Sequence, residues 1–238
     1  EKLITSDSGD VKLLVGSKDN GAGTLNLGDA GLTSGGSLDG TLSIADESTV
    51  NVRAGMFSIS TMEGTSSSAI TIGTAQNAGG LTVGKASLNG ANVFLDPAWK
   101  DGGNLVSDAS IGVFESFANG AVDGRFAVGR NSLLVLGDKD SAWAQKAVQD
   151  ALDNADLTWG KDSVTAALAI KSSQKLSATG ALLVDGSLAT APSVTENTAT
   201  FAGQSLLVVN AAAADGEGAL QGDGTSRLSV DGGAKLHI

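Results

Sequence analysis

GGSLDGTLSIADESTVNV, Gly35 to Val52, decides the fold. Inside it, TLSI and TVNV put an apolar residue at every second position. That is the period of a strand with one buried face; a helix needs apolar residues three and four apart. Outward from this stretch, between Val11 and Asp96, run VKLLV, TLNL, FSIS, AITI and LTV, which follow the same rule. Each segment is about 4 to 5 residues long, the length of a short strand. GAG, SGGS, SSS and AGG lie between segments and carry turn chemistry.

The segments are too dense for long hairpins, and Asn-Gly or Asp-Gly turns rarely join them. Repetition accounts for them better. SLDGTLSIAD (Ser37–Asp46) and SLNGANVFLD (Ser87–Asp96) start 50 residues apart, room for two or three coils of about 17 to 25 residues. Further on, GRFAVGRNSLLVLG (Gly124–Gly137) is echoed by TFAGQSLLVVN (Thr200–Asn210). These read as equivalent coils, each laying a Leu-Leu-Val strand on a stack, with Phe126 and Phe201 in similar positions. A strand-turn unit that cannot bury its apolar face alone must stack on copies of itself. The expected fold is therefore all-β, a parallel β-helix or solenoid, as one domain over residues 1–238 with no linker. Inward Leu, Val and Ile form ladders; Ser, Thr, Asn and Asp face water. Each buried aliphatic side chain contributes roughly 1.5–3 kcal/mol.

DSAWAQKAVQDALDNADLTWG breaks the pattern. Trp143, Ala147, Val148, Ala151, Leu152 and Ala155 fall at helical spacing, with Lys146, Gln149, Asp150, Asp153 and Asn154 opposite. The spacing predicts a short α-helical excursion near 141–155, capped by Asp140 or Ser141 and sealed to the stack by Trp143 and Trp159. Pro97 and Pro192 mark loops, and SVTENTAT and NAAAADGEGALQGDG read as exposed loops.

Composition narrows the function. The 238 residues include 33 Gly and 2 Pro, with 41% hydrophobic, 4% aromatic and 17% charged residues, so the chain can bury a core. A net charge of −11 disfavours nucleic acid and anionic membrane surfaces. With no Cys, disulfides, zinc-thiolate sites and thiol chemistry are excluded. No apolar run reaches the ~18 residues of a membrane-spanning helix. EKLITSD lacks the pattern of a signal peptide, and the chain reads as a mature or excised piece of something longer.

GGSLDGTLSIADESTVNV, GGLTVGKASLNGANVFLD and FAGQSLLVVN together resemble the Gly-Leu-x-Val-x-(Asp or Gly) coils of autotransporter passenger domains. They look like the coils of the pertactin-like and diffuse-adherence adhesin-like members of Gram-negative type V secretion. The resemblance covers most of the chain, and the helix near 141–155 departs from the simplest members. It implies a right-handed β-helix, export across the outer membrane, display at the cell surface, and a C-terminal outer-membrane barrel beyond this segment. It also implies adhesion to a host-cell protein or glycan, or self-association, as a virulence function.

No residue set points to catalysis. Asp-Ser-Gly in SDSGD (Ser6–Asp10) matches a serine nucleophile loop, but the base it needs is missing: the one histidine, His237, stands at the far end of the chain. By alternation His237 follows inward Leu236 and faces solvent, with no partner for a metal. Three carboxylate pairs, Asp138/Asp140, Asp46/Glu47 and Asp215/Glu217, keep open a polysaccharide-acting enzyme or glycan-binding module. The four arginines, Arg53, Arg125, Arg130 and Arg227, flank none of these clusters. QGDGTSRLSV and DGEGALQGDG lack calcium-loop spacing. DGR (Asp123–Arg125) reverses the integrin tripeptide, and no glycine doublet is followed by a phosphate-binding Lys-Ser/Thr. The expectation is a binding module and not an enzyme, with no cofactor, no metal and no assigned binding residues. A tailspike-like filament component is the remaining alternative.

Overall fold

The computed structural model describes residues 2–4, 11–29, 35–95, 110–137, 166–170, 174–203, 205–209, 220–221, 227–230 and 235–237, together with Ala144, Lys146 and Asp150. Its strands are, in chain order, β1 (Lys2–Ile4), β2 (Lys12–Val15), β3 (Thr24–Leu27), β4 (Gly36–Ile44), β5 (Thr49–Val52), β6 (Gly55–Glu63) and β7 (Ala69–Ile72). There follow β8 (Gly79–Ser87), β9 (Asn92–Leu95), β10 (Ser110–Phe114), β11 (Ala121–Val122), β12 (Arg125–Val128), β13 (Ser132–Leu136) and β14 (Ala166–Ile170). The last are β15 (Gln174–Leu176), β16 (Ala181–Asp185), β17 (Thr198–Ala202), β18 (Ser205–Val209), β19 (Leu220–Gln221), β20 (Arg227–Val230) and β21 (Lys235–His237).

They form three sheets in which neighbouring strands run parallel. The first has 10 strands, ordered β1-β4-β6-β8-β10-β13-β14-β18-β21, with β2 also on β4. The second has 8, ordered β20-β17-β16-β12-β9-β7-β5-β3. The third, β11-β15-β19, has 3. A parallel neighbour cannot be reached by a tight hairpin, so the chain must travel between returns. Here it crosses to the other sheet and comes back: β2 to β3, β4 to β5, β6 to β7, β8 to β9. We call each such pass a layer.

The first three layers match the alternation in the sequence; in the fourth, β9 is already buried at its last three positions. Burial in β5 and β7 reads half-buried, buried, half-buried, buried. Register puts Val50, Ile70, Val93 and Phe126 in one inward row, and Val52, Ile72, Leu95 and Val128 in the next. From the first sheet, Ile59, Val83, Phe114, Leu136 and Ile170 line up opposite. These rows belong to one continuous core. Corners are fixed by buried serines: the Ser48 hydroxyl accepts from Gly23 N–H at 3.0 Å, and the Ser68 hydroxyl from Thr65 N–H at 3.0 Å. Gly28 is obligatory for two reasons, a φ of +75° and the Ala54 carbonyl oxygen 2.0 Å from where a Cβ would stand.

The fifth layer differs. Its link from first to second sheet lengthens and gains β11, and Phe114, Phe117 and Phe126 fill the interior there. Phe114 and Phe126 meet edge-to-face with centroids 4.9 Å apart. Alternation also stops: β10, β13 and β14 are buried at all five positions. Sheets covered on both faces read as continuous apolar runs, and SIGVF, SLLVL and AALAI are such runs. Of the helix expected near 141–155, Ala144, Lys146 and Asp150 are described; all three are helical, Ala144 is fully buried and Lys146 pairs with Asp150. Its expected cap and its two tryptophans lie outside the described residues, as does Pro97.

The chain path changes here too. β13 and β14 are neighbours in the first sheet with no second-sheet strand described between them. Then β16 and β17 are neighbours in the second sheet with no first-sheet strand between them. Two successive strands on one side are thus balanced by two on the other, and both sheets stay continuous. The link between β16 and β17 holds Pro192 and is mostly exposed. Of SVTENTAT, only the part before Thr198 is loop, because Thr198–Ala202 is β17.

The two echoes resolve differently. Ser132, Leu133, Leu134 and Val135 stand in register with Ser205, Leu206, Leu207 and Val208, through β14 between them. Phe126 and Phe201 do not coincide: Phe126 aligns with Leu182, and Phe201 with Val184. Phe126 precedes Ser132 by six residues and Phe201 precedes Ser205 by four. The shorter link slides Phe201 two positions along its strand, which keeps it inward because the side-chain period is two. Ser37 and Ser87 are not equivalent. Ser37 pairs with Ser58 early in its strand, whereas Ser87 pairs with Glu63 at the end of its own.

Candidate functional site

Several sequence candidates carry structural roles. In DGR, the Asp123 carboxylate is buried and accepts N–H bonds from Leu88, at 3.2 and 3.1 Å to its two oxygens, and from Asn89 at 3.2 Å. It holds the tight turn in which Asn89 (φ 50°) and Gly90 (φ 85°) are left-handed. Arg125 pairs with Glu196 of the β16–β17 link, and the Arg130 side chain donates to the Gly186 carbonyl at 3.4 Å. Both arginines therefore tie that link onto the second sheet. Arg53 is exposed beyond β5, and Arg227 opens β20 opposite Thr198. His237 lies in β21 opposite Val208; its side chain is outside what is described. Ser6–Asp10, Asp138/Asp140 and Asp215/Glu217 also lie outside the described residues. Among the described residues no group of three or more His, Cys, Asp or Glu could hold a metal ion, and no helix is long and apolar enough to cross a membrane.

What the first four layers present outward is ordered and mostly polar, with Leu14 and Met56 exposed on the first sheet. On the second sheet, Thr24, Thr49, Ala69 and Asn92 form one row and Asn26, Asn51, Thr71 and Phe94 the next. The Asn51 amide donates to Asn26 Oδ1 at 2.9 Å, so the ladder of side chains follows the ladder of strands. On the first sheet, Lys12, Thr41, Thr61 and Lys85 align. Rows repeat at about 4.8 Å, the strand spacing.

Across that face Lys12 Nζ donates to Glu63 Oε2 at 2.8 Å, both side chains being about half exposed. The Lys12 hydrogen bond holds the Glu63 carboxyl below its ordinary value, partial burial opposes this, and the Ser43 hydroxyl adds to the lowering. A depressed folded-state value stabilises the fold above the unfolded value, about 4.3 for glutamate, and that stability is lost as pH falls through the folded value. Exposure limits it to under about 1 kcal/mol. Lys12→Gln is expected to move the Glu63 titration, followed by carboxyl NMR, up toward the ordinary range and to flatten the acid limb of stability. An unshifted Glu63 titration would show that the pair does not form in solution.

A concave feature lies at the corners, and the sequence concealed it. The first corner is long, running from Gly16 to Gly23, and folds into a small antiparallel hook: Ser17 and Gly21 exchange N–H···O bonds of 3.0 and 2.9 Å. The second corner, Ala45 to Ser48, is short. The hook therefore overhangs it, making a groove of about 360 Å³ lined by Ser17, Lys18, Ala45, Asp46, Glu47 and Thr65, among others. Asp46/Glu47 is the one predicted carboxylate pair the structure describes, and it stands here, next to a lysine. Hydroxyls of Thr65 and Ser67 hold the Asp46 carboxyl below its ordinary range, desolvation opposes them slightly and the Lys18 charge assists. Ser67 Oγ donates to Asp46 Oδ1 at 3.1 Å.

The chain matches no protein-family model, no curated protein and no solved structure.

Proposed function

We propose that the chain is a right-handed parallel β-helix serving as the displayed binding module of a Gram-negative autotransporter, an adhesin or self-association domain exported to the cell surface. The observation that carries this reading is the pair of outward rows on the second sheet, in unbroken register through the first four layers and built from Thr and Asn side chains except at Ala69 and the buried Phe94. A flat array of hydroxyl and amide groups offers many weak contacts at a fixed repeat. Such contacts gain strength by being made together, which suits a surface glycan, a surface protein or a second copy of the chain. The acidic net charge keeps nucleic acid away. The parallel sheets support the solenoid reading, since from β2 to β13 the chain returns to the first sheet by way of the second, as a coil requires.

The test uses bacteria displaying the full-length protein, scored for settling and for binding to host cells. The triple variant Thr49→Lys, Asn51→Lys, Thr71→Lys is expected to lower one or both at least tenfold, with surface display unchanged. Wild-type settling and binding by that variant and by a deletion of this segment would overturn the reading.

A further inference from the structure

We propose that the groove under the corner hook is a saccharide subsite that takes one ring of a neutral or amino sugar. Its volume, about 360 Å³, is at the small end of ligand clefts, about 300–1,000 Å³. The polar groups converge from three separate layers: Ser17 and Lys18 from the first corner, Asp46 and Glu47 from the second, Thr65 from the third. The lining supplies both acceptors and donors, which is the complement of a ring that carries both functions on each hydroxyl. Asp46 already accepts from Ser67 and is held ionised by its neighbours. A carboxylate has about four lone-pair sites, so acceptor capacity remains for a sugar hydroxyl. Lys18 supplies a charged donor in the same lining. Ala22 and Ala45 put small apolar surfaces beside these groups, where the C–H face of a ring can rest.

Charge narrows the class. Two carboxylates face one ammonium, on a chain of net charge −11. Acidic sugars and phosphates are therefore repelled, and an uncharged ring or an amino sugar is accepted. No aromatic platform lines the groove, so a single ring binds weakly, on the order of 1 mM. Useful affinity then comes from a chain of sugars that continues onto the outward rows of the second sheet. The subsite rests on the binding-module reading and names one ligand class for it.

Saturation-transfer NMR on the intact chain decides the matter, with methyl glucoside, glucosamine and glucuronate as separate probes. Methyl glucoside or glucosamine is expected to receive transfer and glucuronate none. Asp46→Asn and Lys18→Ala, both at exposed positions, are expected to weaken binding about tenfold while the chain stays folded by circular dichroism. No transfer to either methyl glucoside or glucosamine would overturn the proposal. So would transfer that survives both substitutions, which would place the sugar elsewhere. Cell settling is scored on the same variants: settling lost with the outward-row lysines while the sugar still binds separates the flank from the subsite. Sugar binding with wild-type settling in every variant would count against the displayed-adhesin reading and leave the subsite standing.

Discussion

Phe114→Ala is expected to destabilise the chain by about 3–5 kcal/mol, the range for removing a fully buried aromatic ring. Phe114 has no exposed surface. Its ring lies 4.9 Å from Phe126 at 78° and 6.3 Å from Phe117 at 11°. Edge-to-face pairs add about 0.5–1.5 kcal/mol to the area they bury. The site is also poor at collapsing. Phe114 sits in a parallel ladder, with Val83 before it and Leu136 after it in the same row. Hydrogen bonds fix those strands at a set spacing, so neighbours cannot move in to fill the void. Gly112, next inward along the strand, has no side chain to help. At roughly 2–4 °C per kcal/mol for a chain of this size, the midpoint should fall by about 10 °C. Urea titration and thermal circular dichroism measure both quantities. A loss under about 1 kcal/mol would mean that the interior of the fifth layer is not the closed core described.

The aromatic cluster also shows where the sequence was legible and where it was not. Strand positions came directly from alternation, because TLNL, TVNV and AITI each carry their burial pattern in four residues. Ser-Leu-Leu-Val was legible as a repeated strand for the same reason, and its two copies stand in register. Frame was harder. Ser-Leu-x-Gly occurs at Ser37 within a strand and at Ser87 running into a corner, since three small or polar residues around one buried Leu satisfy either place. What separates them is the hydrogen-bond ladder to neighbouring layers, which no local pattern records. Two-sided burial was written in SIGVF, SLLVL and AALAI, whose unbroken apolar runs differ from the earlier alternation. The corner groove was illegible for a different reason. Its walls come from Lys18, Asp46 and Thr65, which only the stacking of three layers brings together. Asp46/Glu47 was visible as a carboxylate pair; the lysine beside it was not.

Val135→Asp is expected to abolish stable folding, while Ser58→Asp, in the same row of the same face, is expected to cost under about 1 kcal/mol. Ser58, Thr82, Val113, Val135 and Ala169 follow one another across the first sheet, all on the face turned away from the Leu81 and Leu134 row. Along that row Ser58 is exposed and Thr82 half-buried, while Val113, Val135 and Ala169 have no exposed surface. The face thus changes from solvent-facing to covered within five strands. A carboxylate at Ser58 stays hydrated. At Val135 it must give up water without a partner, or take up a proton and still bury an unsatisfied polar group. Either route costs several kcal/mol, a large part of the roughly 5–15 kcal/mol that holds a domain folded. Soluble yield, far-ultraviolet circular dichroism and proteolysis of the two variants side by side measure the contrast. The row is the same and so is the new charge, and the loss of valine's strand preference accounts for at most about 1 kcal/mol, so a larger difference comes from what covers the sheet. If Val135→Asp folds as well as Ser58→Asp, the outer face of β13 is open to water, and the two-sided packing assigned to β10, β13 and β14 is wrong.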